Sequence, residues 1–198
     1  MHADDGAILH ASCAEPARFE AIFARHHDRI WRYLARLGGP ACADELASEV
    51  FLVAFARRAT YEPARGSVSS WLYGIATNLA RTRARREGRA ARAVCRLASE
   101  TGAAVAAAGR TRTEDPTEIG DELARVRAAL DLLPAAHREV LVLYAWEELP
   151  YQELARVLGV EVGTVRSRLA RARAGLRELL AGSGEVLVDD AAPRTPHG

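Results

Sequence analysis

The sequence predicts an all-α protein with two small helical domains joined by a flexible linker. Apolar residues recur at helical spacing in two blocks, 18–96 and 121–181. Between these blocks, residues 97–117 lack aromatic side chains and a sustained apolar stripe. No β-rich segment of note appears. We therefore expect a disordered N-terminus over 1–17, a linker over 97–120 and a loose C-terminal tail over 182–198.

Three amphipathic helices are predicted in the first block. The first covers 18–37 and ends at Gly38-Gly39-Pro40, because glycine and proline terminate helices. The second runs from about 43 to 58. The third runs from about 70 to 92, and a serine at 67, 69 or 70 is expected to cap its N-terminus.

The second block predicts four helices, over 121–133, 135–147, 150–158 and 162–180. The short third helix, Gly159 and the longer fourth helix match a helix-turn-helix. At 100° per residue, the last helix buries a stripe that contains Val165 and Leu169. Small residues edged with arginine occupy the far side, which suits close approach to a DNA groove. That side holds Arg166, Ser167, Ala170, Arg171, Ala174 and Arg177.

Composition places the chain among ordinary water-soluble folds. Of 198 residues, 49% are apolar, and no run approaches the 18 apolar residues that suggest a membrane span. The N-terminus lacks a signal-peptide pattern. Three dispersed cysteines, with no C-x-x-C pair, predict neither a disulfide framework nor a zinc site. We expect a cytoplasmic protein without membrane insertion, metal or cofactor.

The net charge of +1 conceals an uneven distribution. All 27 basic residues are arginine, whose planar guanidinium suits phosphate and carboxylate. Residues 81–96 hold seven arginines and one glutamate, and 166–177 hold five arginines and no acid. These two segments contribute +11, so the remainder is strongly acidic. Two basic patches on an acidic chain indicate two contacts with a polyanion, although arginine-rich runs also occur as solvated helix faces.

The third helix has a similar arrangement. Gly74, Asn78, Arg81 and Arg85 share one side, opposite a buried apolar face. Asparagine offers the donor and acceptor needed to read a base edge, and arginine supplies charge toward phosphates. An exposed helix face without a role in binding fits the same spacing. Trp71 is open to two interpretations, core packing or stacking on an unpaired base.

Several motifs resemble those of extracytoplasmic-function (ECF) sigma factors, the minimal members of the sigma-70 family of bacterial RNA polymerase. The resemblance covers 18–96 (region 2) and 121–181 (region 4). In the first block, the motifs that carry the resemblance are Asp44-Glu45-Leu46, Glu49-Val50-Phe51-Leu52 and the segment from Trp71 to Ala80. In the second block, they are Leu133-Pro134, Tyr151-Gln152-Glu153-Leu154-Ala155 and Gly163-Thr164-Val165-Arg166-Ser167-Arg168-Leu169.

The resemblance implies an alternative sigma factor that directs core polymerase to promoters, with no catalysis of its own. Region 4 is then expected to bind the −35 element as duplex through Thr164, Arg166, Ser167, Ala170, Arg171 and Arg173. Region 2 is expected to capture the single-stranded −10 element through Trp71, Asn78, Arg81 and Arg85. Core polymerase is expected to bind through its clamp coiled coil and flap, with Asp44, Leu46, Glu49 and Phe51 as contacts. An anti-sigma protein is a further implied partner.

Two other functional classes compete with this interpretation. A one-component transcription regulator has the same helix-turn-helix, with 18–96 as a sensor or dimerisation domain, but it has no need for Asn78 and its arginines. An enzyme is disfavoured because His26-His27, Cys42 and Glu49 form no recognised catalytic constellation. Three positions depart from the family pattern. Gly74 stands where a basic residue is frequent, Ala170 is smaller than the side chain that some relatives place against bases, and Glu161 replaces a common serine N-cap.

Overall fold

The computed structural model describes residues 4–101 and 118–182, and within these ranges all regular structure is helical. This confirms the all-α fold class. The helices are α1 (Asp5–Ala11), α2 (Phe19–Gly38), α3 (Pro40–Arg57), α4 (Val68–Thr101), α5 (Glu118–Leu132), α6 (Ala135–Ala145), α7 (Tyr151–Leu158) and α8 (Val162–Gly182). Short 3-10 turns lie at Pro16–Arg18, Arg58–Thr60 and Pro63–Arg65.

The N-terminal domain is built from α1 to α4, with α2 and α3 as an antiparallel pair across which α4 packs. Gly39 joins the two helices, and its backbone φ of +88° is one that residues with a Cβ atom rarely adopt. Pro40 then opens α3 at a position where its missing N–H is harmless. The core contains Tyr33 and Tyr73, whose rings meet edge to face at 5.3 Å.

The N-terminus departs from the sequence prediction. Residues 1–17 were expected to be disordered, yet Asp5–Ala11 forms α1 and packs on α2. Leu9 is fully buried there. Asp5 accepts hydrogen bonds from Arg25 Nη1 at 2.6 Å and His26 Nε2 at 2.7 Å. A single buried leucine and one carboxylate fix a segment too short to show helical periodicity in sequence.

The expected linker is shortened at both ends. The backbone of α4 continues through Thr101, and α5 begins at Glu118, so 97–101 and 118–120 are helical. Alanine, which is abundant in this part of the sequence, is the strongest helix former. The central linker and the C-terminal tail from 183 lie outside the described residues.

In the C-terminal domain, α8 packs against α6, α7 and α5. Its core includes Val140, Leu143, Leu154 and Leu169, each at most 1% exposed. Gly159 ends α7 in the left-handed conformation, with φ of +66°. The Val160 N–H returns to the Ala155 carbonyl at 3.0 Å, which completes a Schellman-type stop. This turn sets the angle between α7 and α8.

The two domains are packed together. Helix α7 lies against α4, and α6 lies against α2. Buried residues of both domains form one continuous apolar cluster. Ser67 caps α4 by accepting from the Ser70 N–H at 3.2 Å, and its hydroxyl also donates to Glu153 of α7 at 2.8 Å. The predicted serine cap is therefore Ser67, and it touches both domains.

Candidate nucleic-acid interface

Helix α8 exposes the face that the sequence predicted. Val165, Leu169 and Ala172 are buried against the domain, at 0%, 1% and 0% exposure. Because α7 and the Gly159 turn hold this stripe inward, the opposite side of α8 faces outward. Thr164 is half-buried at the edge. The exposed predicted residues are Arg166, Ser167, Ala170, Arg171 and Arg173.

Two local contacts organise this face. Ser167 Oγ donates to the Thr164 carbonyl at 3.0 Å, so its hydroxyl is held close to the helix. The Arg173 guanidinium stacks over the Tyr144 ring of α6, 4.8 Å from its centroid. Within residues 4–101 and 118–182, no acidic side chain is paired with Arg166 or Arg171. Both guanidinium groups are free of competing carboxylates in that part of the chain.

Helix α4 presents its predicted residues differently. Asn78 and Arg85 are exposed, as expected for one outward face. The Arg85 Nε donates to the Arg81 carbonyl at 3.2 Å, along the helix. Trp71 is half-buried, with its ring 5.7 Å from the Tyr61 ring. Tyr61 in turn donates to the Gly66 carbonyl at 3.0 Å, so Trp71 helps to hold the loop that precedes α4.

Arg81 is engaged by the other domain. Its Nε and Nη2 donate to the Glu139 carboxylate of α6, at 3.0 Å and 2.7 Å to the nearer oxygens. Its Nη1 donates to the Leu158 carbonyl at 3.3 Å. The hydrogen bonds to Glu139 raise the pKa of the guanidinium, so it stays charged. The predicted DNA-facing arginine is therefore part of an interdomain ion pair in this conformation.

Of the four residues expected to bind core polymerase, the structure places only two on the surface. Asp44 is exposed and accepts a hydrogen bond from Trp31 Nε1 at 2.7 Å, and Glu49 is exposed. Leu46 and Phe51 are 3% and 4% exposed. Direct contact through their side chains does not fit this burial, because they lie on the side of α3 that packs against α2 and α4.

Sequence reasoning missed an apolar surface on the same helix pair. Phe23 of α2 and Leu52 and Phe55 of α3 are 42%, 70% and 37% exposed. The Phe23 ring contacts the rings of Phe51 and His27, at 4.9 Å and 4.7 Å. Leu52 and Phe55 lie off the buried stripe of α3, which is the signal available in sequence. Phe23 lies on the apolar stripe of α2, so its exposure could not be predicted from spacing.

In the described residues, no group of three or more His, Cys, Asp or Glu side chains is placed to hold a metal ion. Cys13 is exposed and Cys42 half-buried, and both are free thiols. Burial raises the pKa of the Cys42 thiol, which disfavours the reactive thiolate. Across the same residues, no helix has the length and apolar content needed to cross a bilayer.

Both domains match models of known protein families. Residues 22–90 match the model of sigma-70 region 2, and residues 123–176 match that of sigma-70 region 4. The chain is 36% identical over 172 residues to the ECF RNA polymerase sigma factor SigE of Mycolicibacterium smegmatis, covering 82% of this chain and 62% of that relative. It is 35% identical to the RNA polymerase sigma factor CarQ of Myxococcus xanthus, covering 82% of this chain and 88% of that one.

Solved structures show the same helical arrangement. CnrH, solved in complex with the cytosolic domain of CnrY, superposes with a TM-score of 0.65 at 26% identity, over 90% of this chain and 97% of that one. The sigma factor RpoE of Bartonella quintana, solved with the anti-sigma factor NepR, gives 0.62 at 23% identity, over 82% and 96%, and supports the fold alone. With both regions matched in order, the chain belongs to the ECF sigma factors of the sigma-70 family, the alternative sigma factors that direct promoter recognition and transcription initiation.

Proposed function

We propose that α8 reads a duplex −35 element and that α4 captures the single-stranded −10 element, while the chain is bound to core RNA polymerase. The observation that supports this best is the outward face of α8. Small side chains at Ser167 and Ala170 allow close approach, and the exposed Arg166 and Arg171 can reach guanine edges and phosphates. Asn78 and Arg85 offer the corresponding face on α4.

For the polymerase contact, we propose a surface on α2 and α3. It joins the predicted acids Asp44 and Glu49 to the exposed apolar side chains of Phe23, Leu52 and Phe55. An apolar patch rimmed by charge is typical of a protein–protein contact. Clamp coiled coil and flap remain the expected docking points on the polymerase. Because polymerase works in the cytoplasm, the factor acts there, and it contributes binding energy without catalysis of its own.

An anti-sigma protein is a further proposed partner. CnrH, which is 26% identical to this chain, was solved in complex with the cytosolic domain of CnrY. Its fold resembles that of this chain over 90% of the chain's length. We infer that a protein of this kind binds here and competes with polymerase or promoter DNA.

In-vitro transcription tests the proposed function. Purified full-length chain is added to bacterial core polymerase on a library of genomic fragments, and transcript 5′ ends are mapped. We expect initiation at a discrete set of promoters that share two spaced elements. If no fragment is transcribed, the proposal is wrong. A one-component regulator instead changes initiation only when another sigma factor is present.

Two variants then test the −35 and −10 assignments independently on a mapped promoter. Arg166→Ala is expected to weaken −35-dependent transcription by about tenfold or more, the loss typical of one base-reading arginine, while core binding in a pull-down is retained. Asn78→Ala is expected to impair −10 discrimination or opening and to leave binding of −35 duplex unchanged. Arg57→Ala, an exposed arginine on α3, is the charge-matched control. Lost core binding in Arg166→Ala or unchanged −10 selectivity in Asn78→Ala contradicts the assignment.

A further inference from the structure

Two buried glutamates of the C-terminal domain have their side-chain hydrogen-bond and ion-pair partners in the N-terminal domain. The side chains of Glu139 on α6 and Glu147 in the α6–α7 loop are 7% and 4% exposed. Every side-chain group that contacts either carboxylate in the described residues comes from the N-terminal domain. A buried carboxylate is tolerated only when it is paired, so these two acids require the other domain.

The contacts of Glu147 are distributed over two helices. Its Oε2 accepts a hydrogen bond from the Tyr73 hydroxyl of α4 and one at 3.3 Å from Arg29 Nη2 of α2. Arg36 of α2 lies 3.9 Å from Oε1, and its guanidinium stacks over Trp146 at 5.0 Å. Burial raises the pKa of the Tyr73 phenol and Glu147 raises it further, so Tyr73 remains a donor.

The second glutamate binds a residue assigned to DNA. Arg81 lies one helical turn beyond Asn78 on α4, and Glu139 engages it through both Nε and Nη2. The Arg81 guanidinium already donates through Nε, Nη1 and Nη2, and its charge is balanced by the Glu139 carboxylate, so in this conformation it is poorly placed to bind a phosphate or a base. The α7 helix, which packs on α4, comes from the same domain as Glu139.

We propose that Glu139 and Glu147 form an autoinhibitory latch, which holds the free factor closed and withholds Arg81 from the −10 strand until the domains separate. We call these two residues the glutamate latch. The carboxylates imitate the phosphates that the arginines will later meet. The interface contains a continuous apolar cluster, and the latch adds polar and charged groups to it, so it can open to water at lower cost than a purely apolar interface. The inference rests on the proposed role of Arg81 in −10 binding.

The main test is the full-length double variant Glu139→Gln/Glu147→Gln, which keeps the shape of both side chains. The matched control, Glu15→Gln/Asp131→Asn, also removes two carboxylates from ion pairs, but each pair lies within one domain and involves no residue of α4. Small-angle X-ray scattering is expected to give a larger radius of gyration for the latch variant than for the wild type and the control. A latch variant that stays folded by circular dichroism and as compact as the wild type overturns the proposal.

Binding of single-stranded DNA is the second readout. The probe is a fluorescein-labelled oligonucleotide of mixed sequence, followed by anisotropy. If the open form is a tenth or less of the wild-type population, opening raises the apparent affinity by about tenfold or more. The control variant is expected to bind as the wild type does. Expansion without increased affinity shows that the glutamates hold the domains together but mask no DNA-binding surface, which overturns the autoinhibition.

A crosslinked protein, in which the two domains cannot separate, tests the proposal even if the latch variant does not fold. Ser67 and Glu153, which hydrogen-bond across the interface at 2.8 Å, are both replaced by cysteine in a background where Cys13, Cys42 and Cys95 are serine. The pair is joined with a bismaleimide whose spacer contains a disulfide. We expect the crosslinked protein to lose single-strand binding and promoter-dependent transcription, and reduction to restore both. Full binding while crosslinked overturns the proposal.

These outcomes are distinguishable from failure of the proposed function. If core polymerase initiates at no promoter with the wild type, the latch variant or the reduced crosslinked form, the sigma-factor roles of α4 and α8 are wrong. If the wild type initiates normally but the latch variant neither expands nor gains affinity, the latch alone is wrong.

Discussion

The two arginine-rich helices differ in what their charges meet inside the folded chain. On α8, Arg166 and Arg171 face outward, and in the described residues neither is paired with an acid. On α4, Arg81 is bound to Glu139 and Arg83 to Glu45 and Glu87. Similar sequence composition therefore gives one helix whose Arg166 and Arg171 have no acidic partner in the described residues, and another whose Arg81 is paired across the domain interface. The difference lies in the neighbours of each helix.

The largest expected effect is on α8 itself. Leu169→Ala removes a side chain that is 1% exposed and leaves a cavity between α8 and the rest of the C-terminal domain. Such a substitution costs about 2–5 kcal/mol of unfolding free energy. Urea unfolding followed by circular dichroism measures it, and Leu180→Ala, which is only half-buried, is the control with a smaller loss. Equal effects of the two substitutions contradict the buried stripe on which the orientation of α8 depends.

A smaller effect is expected from one exposed charge. Arg171→Ala should weaken binding of duplex DNA of any sequence, because a phosphate contact carries no sequence information. The slope of log affinity against log salt concentration should fall by about one. Arg57→Ala on α3 removes the same charge away from the proposed face and should leave the slope unchanged. Equal slopes for the two variants show that affinity depends on net charge alone.

On α4, one substitution is expected to increase the free energy of unfolding. Gly74 lies inside the helix, and a Cβ built at this position meets nothing within 4 Å. Gly74→Ala should therefore raise the free energy of unfolding by about 0.5–1 kcal/mol, through the lower conformational entropy of the unfolded chain. Thermal or urea unfolding measures it. Gly38→Ala is the contrasting variant, because its Cβ would lie 2.9 Å from Cys42 Sγ, and it should not stabilise.

The smallest effect concerns the N-terminal helix. Burial alone raises the pKa of Asp5, but hydrogen bonds from Arg25 and His26 outweigh it and leave the pKa below its ordinary value of 3.8. The resulting stabilisation is complete above that value and is lost as the pH falls through the lower folded pKa. Asp5→Asn should cost about 0.2–1 kcal/mol at neutral pH, and the deficit should shrink in acid.

Urea unfolding at a series of pH values checks this prediction. Asp28→Asn is its control, because the Asp28 side chain is 90% exposed and 3.2 Å from His27. A deficit in Asp5→Asn that grows in acid contradicts the assignment of a lowered pKa.

Features that depend on helical periodicity could be predicted from the sequence. The buried stripe and outward face of α8 repeat every three to four residues, and a helical wheel places them correctly. Leu46 and Phe51 were predicted as polymerase contacts although they are buried, because motif resemblance does not distinguish a residue that supports a surface from one that forms it. Helix α1 was missed because seven residues give no periodicity.

The contacts between the two domains could not be predicted from the sequence. Glu139 and Arg81 are 58 residues apart, and nothing in either local pattern indicates that they meet. Their pairing depends on how α7 settles against α4, which is a property of two folded surfaces. From sequence, an arginine on a charged helix face is equally consistent with a phosphate, with water or with a distant carboxylate.

One consequence follows from the hydrogen bond between Arg81 and the Leu158 carbonyl. Leu158 is the last residue of α7, directly before the turn into α8, so the same guanidinium links α4 to the helix-turn-helix, the two units for which promoter binding is proposed. If separation of the domains frees both at once, polymerase and single-stranded promoter DNA become reciprocal effectors. By thermodynamic linkage, the factor by which polymerase strengthens DNA binding equals the factor by which DNA strengthens polymerase binding.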